Sequence, residues 1–314
     1  MNSLKSAPLF ASVKLTDACN SKCITCSIDG VKKSSELSTR QVFHTLYQLH
    51  QCGIRFIRFT GGEPLLRRDL ESCIEEAARL GFKRIYIATN GLLLEQKSTQ
   101  LSKATNITVS VDGIGATNDH IRGVPGSFKK SINGIRKLKS DHPAIDIEIA
   151  TTLLAANLGE TEHLISVCRE LEIQWFVNLF DTHLYFFQDI AGTQLEARET
   201  ERIEAALASI RQAHAATPAA FSFGRRQIDT MAEYLLHGRF PRYCILGFTN
   251  VDIAPNGDVY SGCWAMVPMG NIHEESLHVI LSSEDYRRRI KQMLLRKCPQ
   301  CTCGWMVNSL YEQL

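Results

Sequence analysis

Cys19, Cys23 and Cys26 stand in the stretch Thr16-Asp-Ala-Cys-Asn-Ser-Lys-Cys-Ile-Thr-Cys-Ser27, three thiols inside eight residues. Thiolates suit soft metals, and so short a loop can bring all three onto one inorganic core. A cluster of four irons held by three thiolates keeps one iron open, and an open iron can bind and cleave something. Two plainer chemistries compete. A structural zinc site needs four closed ligands, and no fourth Cys or His lies near in sequence. A Cys-x-x-Cys redox pair would use Cys23 and Cys26 and leave Cys19 unexplained.

A second group of thiols comes late: Cys244, Cys263, Cys298, Cys301 and Cys303. Residues 251–260 form two short alternating runs around Asn256-Gly257, a strong hairpin signal that would bring Cys244 and Cys263 near each other. Cys298-Pro-Gln-Cys301 can then complete a four-thiolate site from beyond a helix predicted over 283–297. Spacing alone leaves zinc and an iron–sulfur cluster both open there.

These loops need a frame. Strand-like runs at 13–15, 56–60, 85–89, 107–112, 145–152 and 173–179 alternate with helical periods such as Val42, Leu46, Leu49, then Leu70, Cys73, Ile74, Ala77, then Leu164, Val167, Cys168, Leu171. Strand and helix repeated in this way give a parallel sheet with right-handed crossovers. Six units fall short of the eight that close a full barrel, so the expectation is an α/β fold, a partial (β/α)6 TIM-like barrel. A small C-terminal domain of β-hairpin and helix would follow it. The expected boundary is near Thr217-Pro-Ala-Ala220, after a helix over 198–214, giving a barrel with its closing segment at 1–217 and an auxiliary domain at 218–314. In parallel α/β sheets function gathers at the carboxyl ends of the strands, and the first Cys loop, Gly61-Gly62-Glu63, Thr89-Asn90-Gly91 and Ser110-Val-Asp112 all follow strands directly.

The Cys-x3-Cys-x2-Cys spacing after a strand resembles the signature of the radical S-adenosylmethionine (SAM) enzymes. Phe59-Thr-Gly-Gly-Glu-Pro64 resembles that family's glycine-rich segment, which receives the amino group of SAM. Val109-Ser-Val-Asp-Gly113 and His120-Ile-Arg-Gly123 resemble the segment after its fourth strand, where Ser110 and Arg122 would hold the SAM carboxylate. Thr25 stands where the family usually has an aromatic residue. The resemblance implies cofactor binding at Gly61, Gly62, Glu63, Thr89, Asn90, Ser110 and Arg122, and a 4Fe–4S cluster with an open iron on Cys19, Cys23 and Cys26. The late cysteines resemble the auxiliary extension called SPASM or twitch. Five thiols suit the twitch form, with one auxiliary 4Fe–4S cluster on Cys244, Cys263, Cys298 and Cys301, although Cys301 and Cys303 can exchange roles. The spare Cys303 is either a hydrogen-atom donor or an ordinary cysteine.

The chemistry implied is reductive cleavage of SAM to a 5′-deoxyadenosyl radical that abstracts a substrate hydrogen atom. An auxiliary cluster can take an electron from the substrate radical, so the resemblance favours oxidation or epimerisation of a carbinol carbon, as in the dehydrogenases and epimerases of aminoglycoside pathways, on a sugar or aminocyclitol. The alternative is a peptide-modifying enzyme that forms crosslinks or epimerises residues; the 18 residues before Cys19 are too few for the peptide-recognition domain many of those enzymes carry. A third reading, a non-catalytic electron carrier, does not account for the Gly61 and Ser110 segments. A reductant such as flavodoxin or ferredoxin is implied as partner.

With 314 residues, 44% hydrophobic and 22% charged, the chain has the composition of an ordinary globular protein with a substantial core. A net charge of +2 gives no reason to expect nucleic acid or an anionic membrane surface. The sequence has no signal-like or membrane-spanning apolar run, so a cytoplasmic protein is expected, and eleven cysteines there point to metal ligation rather than disulfides. Cys73 and Cys168, on apolar helix faces, and Cys52, beside Gly53, read as packing residues. Asp181-Thr-His-Leu-Tyr-Phe-Phe-Gln-Asp189 reads either as a plug for the open side of the barrel or as a wall facing the substrate.

Overall fold

A strand with alternating polar and apolar residues needs cover for its apolar face, and here helices supply it. The computed structural model describes residues 8–27, 35–180, 195, 199–239 and 243–298. Six parallel strands follow chain order: β1 (Phe10–Lys14), β2 (Phe56–Thr60), β3 (Arg84–Thr89), β4 (Asn106–Ser110), β5 (Asp146–Leu153) and β6 (Gln174–Leu179). Each falls on a predicted run, with ends displaced by a few residues. The connecting helices are α1 (Thr39–Gln51), α2 (Leu70–Leu80), α3 (Leu94–Lys97), α4 (Ala116–Arg122), α5 (Ser127–Asp141) and α6 (Thr161–Glu170). Because every crossover returns to the neighbouring strand, the result is the expected partial barrel.

The two faces of this sheet differ. Val13, Phe59, Ile87, Val109, Ile149 and Val177 point outward and are buried with Leu46, Ile74, Ile135 and Leu164 of the helices. Truncating one of these side chains to Ala should cost about 2–5 kcal/mol. The other face carries Ser12, Lys14, Arg58, Thr60, Thr108, Ser110 and Glu148, at the alternate positions of the same strands. Parallel strands buried on both faces read as continuous apolar runs; these do not, because their inner face lines the barrel. Local signals set the helix ends. Ser38 and Gln41 form a reciprocal capping box at the start of α1, and α2 stops at Gly81 with φ +87°. Cys73 and Cys168 lie in the core as expected, and burial pushes both thiols up to about 12; Cys52 is half-buried against it.

Beyond the barrel come α7 (Thr200–Ala216) and α8 (Arg225–His237). The sequence predicts the first; the second buries Ile228, Met231 and Ala232 on a shorter apolar stripe that the sequence reading passes over. Then follow α9 (Leu246–Thr249), β7 (Asn250–Ile253), β8 (Asp258–Tyr260), β9 (Gly270–Asn271), α10 (Leu277–Ser282) and α11 (Glu284–Leu294). The predicted hairpin is present: β7 and β8 pair antiparallel, and Gly257 takes φ +89° in the turn, where an L side chain would be strained. What the sequence does not announce is that β7 also pairs in parallel with β1, from Phe10 opposite Asn250 to Val13 opposite Ile253. The nine strands among the described residues therefore form one sheet, in the order β6-β5-β4-β3-β2-β1-β7-β8-β9. Cys301, Cys303 and the aromatic stretch at 181–189 lie outside the described residues. No helix among the described residues is long and apolar enough to cross a membrane.

Candidate functional site

The first cysteine loop leaves β1 at Leu15, whose N–H donates to Thr60 O at 2.8 Å, and lies across the ends of the neighbouring strands. Two glycines make that approach possible. Gly62 N donates to Thr16 O at 2.8 Å and Glu63 N to Ala18 O at 2.8 Å. A Cβ on Gly61 would stand 2.6 Å from Thr16 O, and one on Gly62 only 2.3 Å from Ala18 O. Any side chain there would push the loop away. From the other side, Lys22 N and Ile24 N donate to Arg122 O and Ile121 O at 3.2 and 2.9 Å. Gly123, with φ +65°, lets the end of α4 close on Lys22. Thus the segments around Gly61 and Arg122 grip the cysteine loop through its backbone.

Glu63 is fully buried. Its carboxylate accepts from Thr89 Oγ1 at 2.8 Å, Asn90 N at 2.7 Å and Leu65 N at 3.0 Å. Burial raises its pKa, opposed by those three donors. The side chain thereby ties the β2 end to the β3 end, and most of its acceptor capacity is already used. Asn90 continues the tie: its Nδ2 donates to Asn20 Oδ1 at 2.7 Å and Ser21 Oγ at 3.0 Å, and lies 3.9 Å from Cys19 Sγ. The Ser21 N–H also points at Cys19 Sγ, at 3.4 Å.

Asp112, to which the sequence reading gives no role, organises the β4 end. It is buried, accepts from Thr152 N at 2.7 Å and pairs with Arg122 Nη2 at 2.6 Å. Its own N–H donates to Asn118 Oδ1, and its carbonyl accepts from Asn157 Nδ2. Arg122 Nη1 reaches Cys23 Sγ at 4.0 Å, while its Nε–H is buried without a hydrogen-bond partner among the described residues. Ser110, half-buried one residue before Val111, has a hydroxyl with no partner among the described residues. The signal for Asp112 was in the sequence: an acid two residues beyond the predicted ligand Ser110 and ten before an Arg.

The three thiols share one environment. Burial pushes the Cys19 thiol up to about 11; the Ser21 N–H opposes this, and the charges of Cys23, Glu63 and Cys26 add to it. Burial also raises Cys23, against the Arg122 guanidinium. Thiols so placed ionise readily only beside a cation such as cluster iron. No three Cys, His, Asp or Glu among the described residues converge tightly enough for a single metal ion. A cubane cluster takes each thiolate at a separate corner, so wider spacing is what it requires. The orphaned Arg122 N–H and the open Ser110 hydroxyl suit a carboxylate, and the donor set as a whole fits a cluster with SAM.

At the far side of the sheet, Cys244 and Cys263 are buried together with Leu246 and Met293, and Cys298 packs against them. The structure thus gathers three of the four expected auxiliary ligands. On α11, Arg289 bonds Asp285 at 2.6 Å and Val267 O at 2.5 Å.

A partial barrel with a cysteine loop at its carboxyl rim, joined to a thiol-rich hairpin, places two groups of thiols where iron–sulfur clusters could be held. Residues 13–165 match the radical SAM superfamily and residues 244–303 match SPASM, an iron–sulfur cluster-binding domain. The chain carries a radical SAM domain followed by a SPASM domain. These domains imply SAM, a 4Fe–4S cluster and auxiliary iron–sulfur binding. It is 34% identical over 183 residues to an AdoMet-dependent heme synthase of Methanosarcina barkeri, covering 54% of this chain and 50% of that protein. It is 32% identical over 165 residues to the sporulation killing factor maturation protein SkfB of Bacillus subtilis, covering 51% and 40%. The chain spans half or less of the length of these curated relatives. Among solved structures, Streptococcus suis SuiB bound to S-adenosylmethionine superposes with a TM-score of 0.71 at 16% identity, over 91% of this chain and 68% of that one. Native anSMEcpe with bound AdoMet gives 0.72 at 18%, over 91% and 84%. The curated relatives are named as a heme synthase and a killing-factor maturation protein, and the expected likeness to aminoglycoside-pathway enzymes is not shown.

Proposed function

We propose that this enzyme modifies a peptide, taking a hydrogen atom from one of its residues. The likeness to SkfB carries this reading. The inner face of the barrel is compatible with it, because it mixes hydroxyls and Arg58 with the rings of Phe10, Tyr86 and Phe176, as a peptide's mixed side chains require. A second reading, modification of a tetrapyrrole, has the heme synthase likeness behind it. The inner face also carries Phe10, Tyr86 and Phe176, which suit an apolar disc, so the substrate panels below decide between the two readings.

A cluster and SAM bound there would supply the one-electron chemistry for taking a hydrogen atom from the substrate. Cys19, Cys23 and Cys26 would hold that cluster. Ser110 and Arg122 receive the SAM carboxylate, with Asp112 fixing the arginine. Gly61 and Gly62 let the cysteine loop close on the rim, leaving backbone groups there for the SAM amine. Glu63, Thr89 and Asn90 position the loop from beneath. Cys244, Cys263 and Cys298, with Cys301, hold one auxiliary 4Fe–4S cluster in a domain spanning about 218–314, and Cys303 remains as a spare thiol. A reducing partner such as flavodoxin or ferredoxin would serve as the electron donor.

The test is anaerobic turnover of the reconstituted, reduced enzyme with SAM against three panels: candidate precursor peptides, carboxylated porphyrins, and sugars or aminocyclitols. We expect 5′-deoxyadenosine in step with a mass change on a peptide. Turnover confined to porphyrins would establish the second reading, and turnover confined to sugars would overturn both.

A further inference from the structure

One charged group on the inner face takes no part in the SAM site. Arg58 lies at the middle of β2, between Ile57 and Phe59, which are fully buried toward the helices, so its side chain faces the barrel interior. Its guanidinium carbon sits 5.2 Å from the ring centre of Phe10 and 5.9 Å from that of Tyr86. Among the described residues it makes no hydrogen bond and no ion pair, and its Nε–H is buried without a partner. An arginine that serves structure alone ordinarily spends its five donors on carboxylates or carbonyls. This one is held by two aromatic faces, which fix its position and leave its donors unspent.

The obvious internal partner attracts it through space but makes no hydrogen bond or ion pair with it. Asp252 on β7 is buried on the same face, and its carboxylate accepts from Ser12. Ser12 is opposite Arg58 in one direction and opposite Asp252 in the other. With β1 between them, the two backbones stand about 10 Å apart by ordinary strand spacing. Burial pushes Asp252 up to about 7, against the pull of Arg58 and Ser12, so near neutrality it is only a partial countercharge.

We propose that Arg58 receives a carboxylate carried by the substrate, bound on the inner face of the barrel below the SAM site. This deepens the function proposed above and rests on the barrel interior being the substrate chamber. Depth fits the role. Arg58 is two residues, about 7 Å, below the end of β2, where Gly61 begins the rim. An extended peptide covers that depth in about two residues, so the anchored carboxylate is a side chain or chain terminus near the reacting residue. The flanking rings also favour an apolar group next to the carboxylate.

The probe is benzoate, an arene carboxylate, compared with neutral benzamide. Binding to the reconstituted holoprotein is measured by titration, following the arginine Nε–H signals by NMR, for the native chain, Arg58→Lys and Arg58→Gln. Melting temperature and iron content report whether each variant is folded. Benzoate should bind saturably and shift one Nε–H signal that Arg58→Gln lacks. Its affinity should fall tenfold or more in Arg58→Gln and less in Arg58→Lys, and benzamide should bind weakly throughout. No saturable benzoate binding, equal binding to Arg58→Gln, or equal affinity for benzamide would each overturn the assignment. None of these outcomes depends on whether a peptide turns over, so the two readings fail separately.

Discussion

Replacing Asp252 by Asn should free the protein of a penalty that grows with pH. Asp252 lies within the sheet at 4% exposure, and burial lifts its pKa from 3.8 to about 7. Between those values the folded chain keeps a proton that the unfolded chain has released. Stability is therefore fullest below pH 3.8 and declines as pH rises to about 7. From pH 5 to pH 8 the loss spans about two pKa units, or about 3 kcal/mol. Asn has nearly the shape of the protonated acid, can still accept from Ser12, and does not titrate. The gap in stability between Asp252→Asn and the native chain should thus widen in favour of the variant by about 3 kcal/mol across that range, or about 5 °C in melting temperature for a chain of this size. The assay is thermal unfolding of anaerobically reconstituted protein at several pH values. Parallel melting curves, or a variant that loses ground as pH rises, would refute the reasoning and place Asp252 in an ion pair.

Gly62→Ala should move the cysteine loop, costing about 1–3 kcal/mol and lowering both iron content and SAM cleavage, whereas Gly159→Ala, with open space around it, should be neutral within about 0.5 kcal/mol. Joint replacement of Cys19, Cys23 and Cys26 by Ala should abolish SAM cleavage and leave iron at the second site; retained 5′-deoxyadenosine formation would remove those thiols from the chemistry. Cys263→Ala should reduce iron per chain and stop substrate turnover, and an unchanged iron count with zinc present would reassign the second site. Asp112→Asn breaks a buried pair and should cost about 3–5 kcal/mol, with weaker SAM binding as Arg122 loses its support. Unaltered melting and SAM affinity would show that Asp112 does not hold Arg122.

The barrel was legible because its cues are local. Phe56–Thr60 alternates cleanly, the Gly61-Gly62 pair follows it at once, and the period changes to that of a helix by Leu70. The hairpin was legible for the same reason, since Asn256-Gly257 needs only its flanking strands. The pairing of β7 with β1 was not, because nothing in Asn250–Ile253 names Phe10–Lys14 as its partner across more than two hundred residues. Glu63 shows a subtler limit. Its motif pointed to a cofactor contact, but the carboxylate is occupied by Thr89, Asn90 and Leu65, and only the fold reveals who satisfies a buried acid. Arg58 and Asp252 left a fainter trace, charged residues at inward positions of otherwise apolar strands, which becomes informative once the inward direction is known.

Because β1 is flanked by β2 on one side and β7 on the other, a ladder of backbone hydrogen bonds spaces the two thiol sites, rather than the chain that connects them. The described residues between β6 and β7 add no strand between β1 and β7, so the sheet reaches the hairpin without them. The described helices of that segment are tied back to the barrel, since Phe221 bridges to Trp175 and Ile203, Leu207, Ile210 and Ile228 join its core, so a change in the segment's length must be absorbed outside those contacts and leaves the β1–β7 pairing untouched.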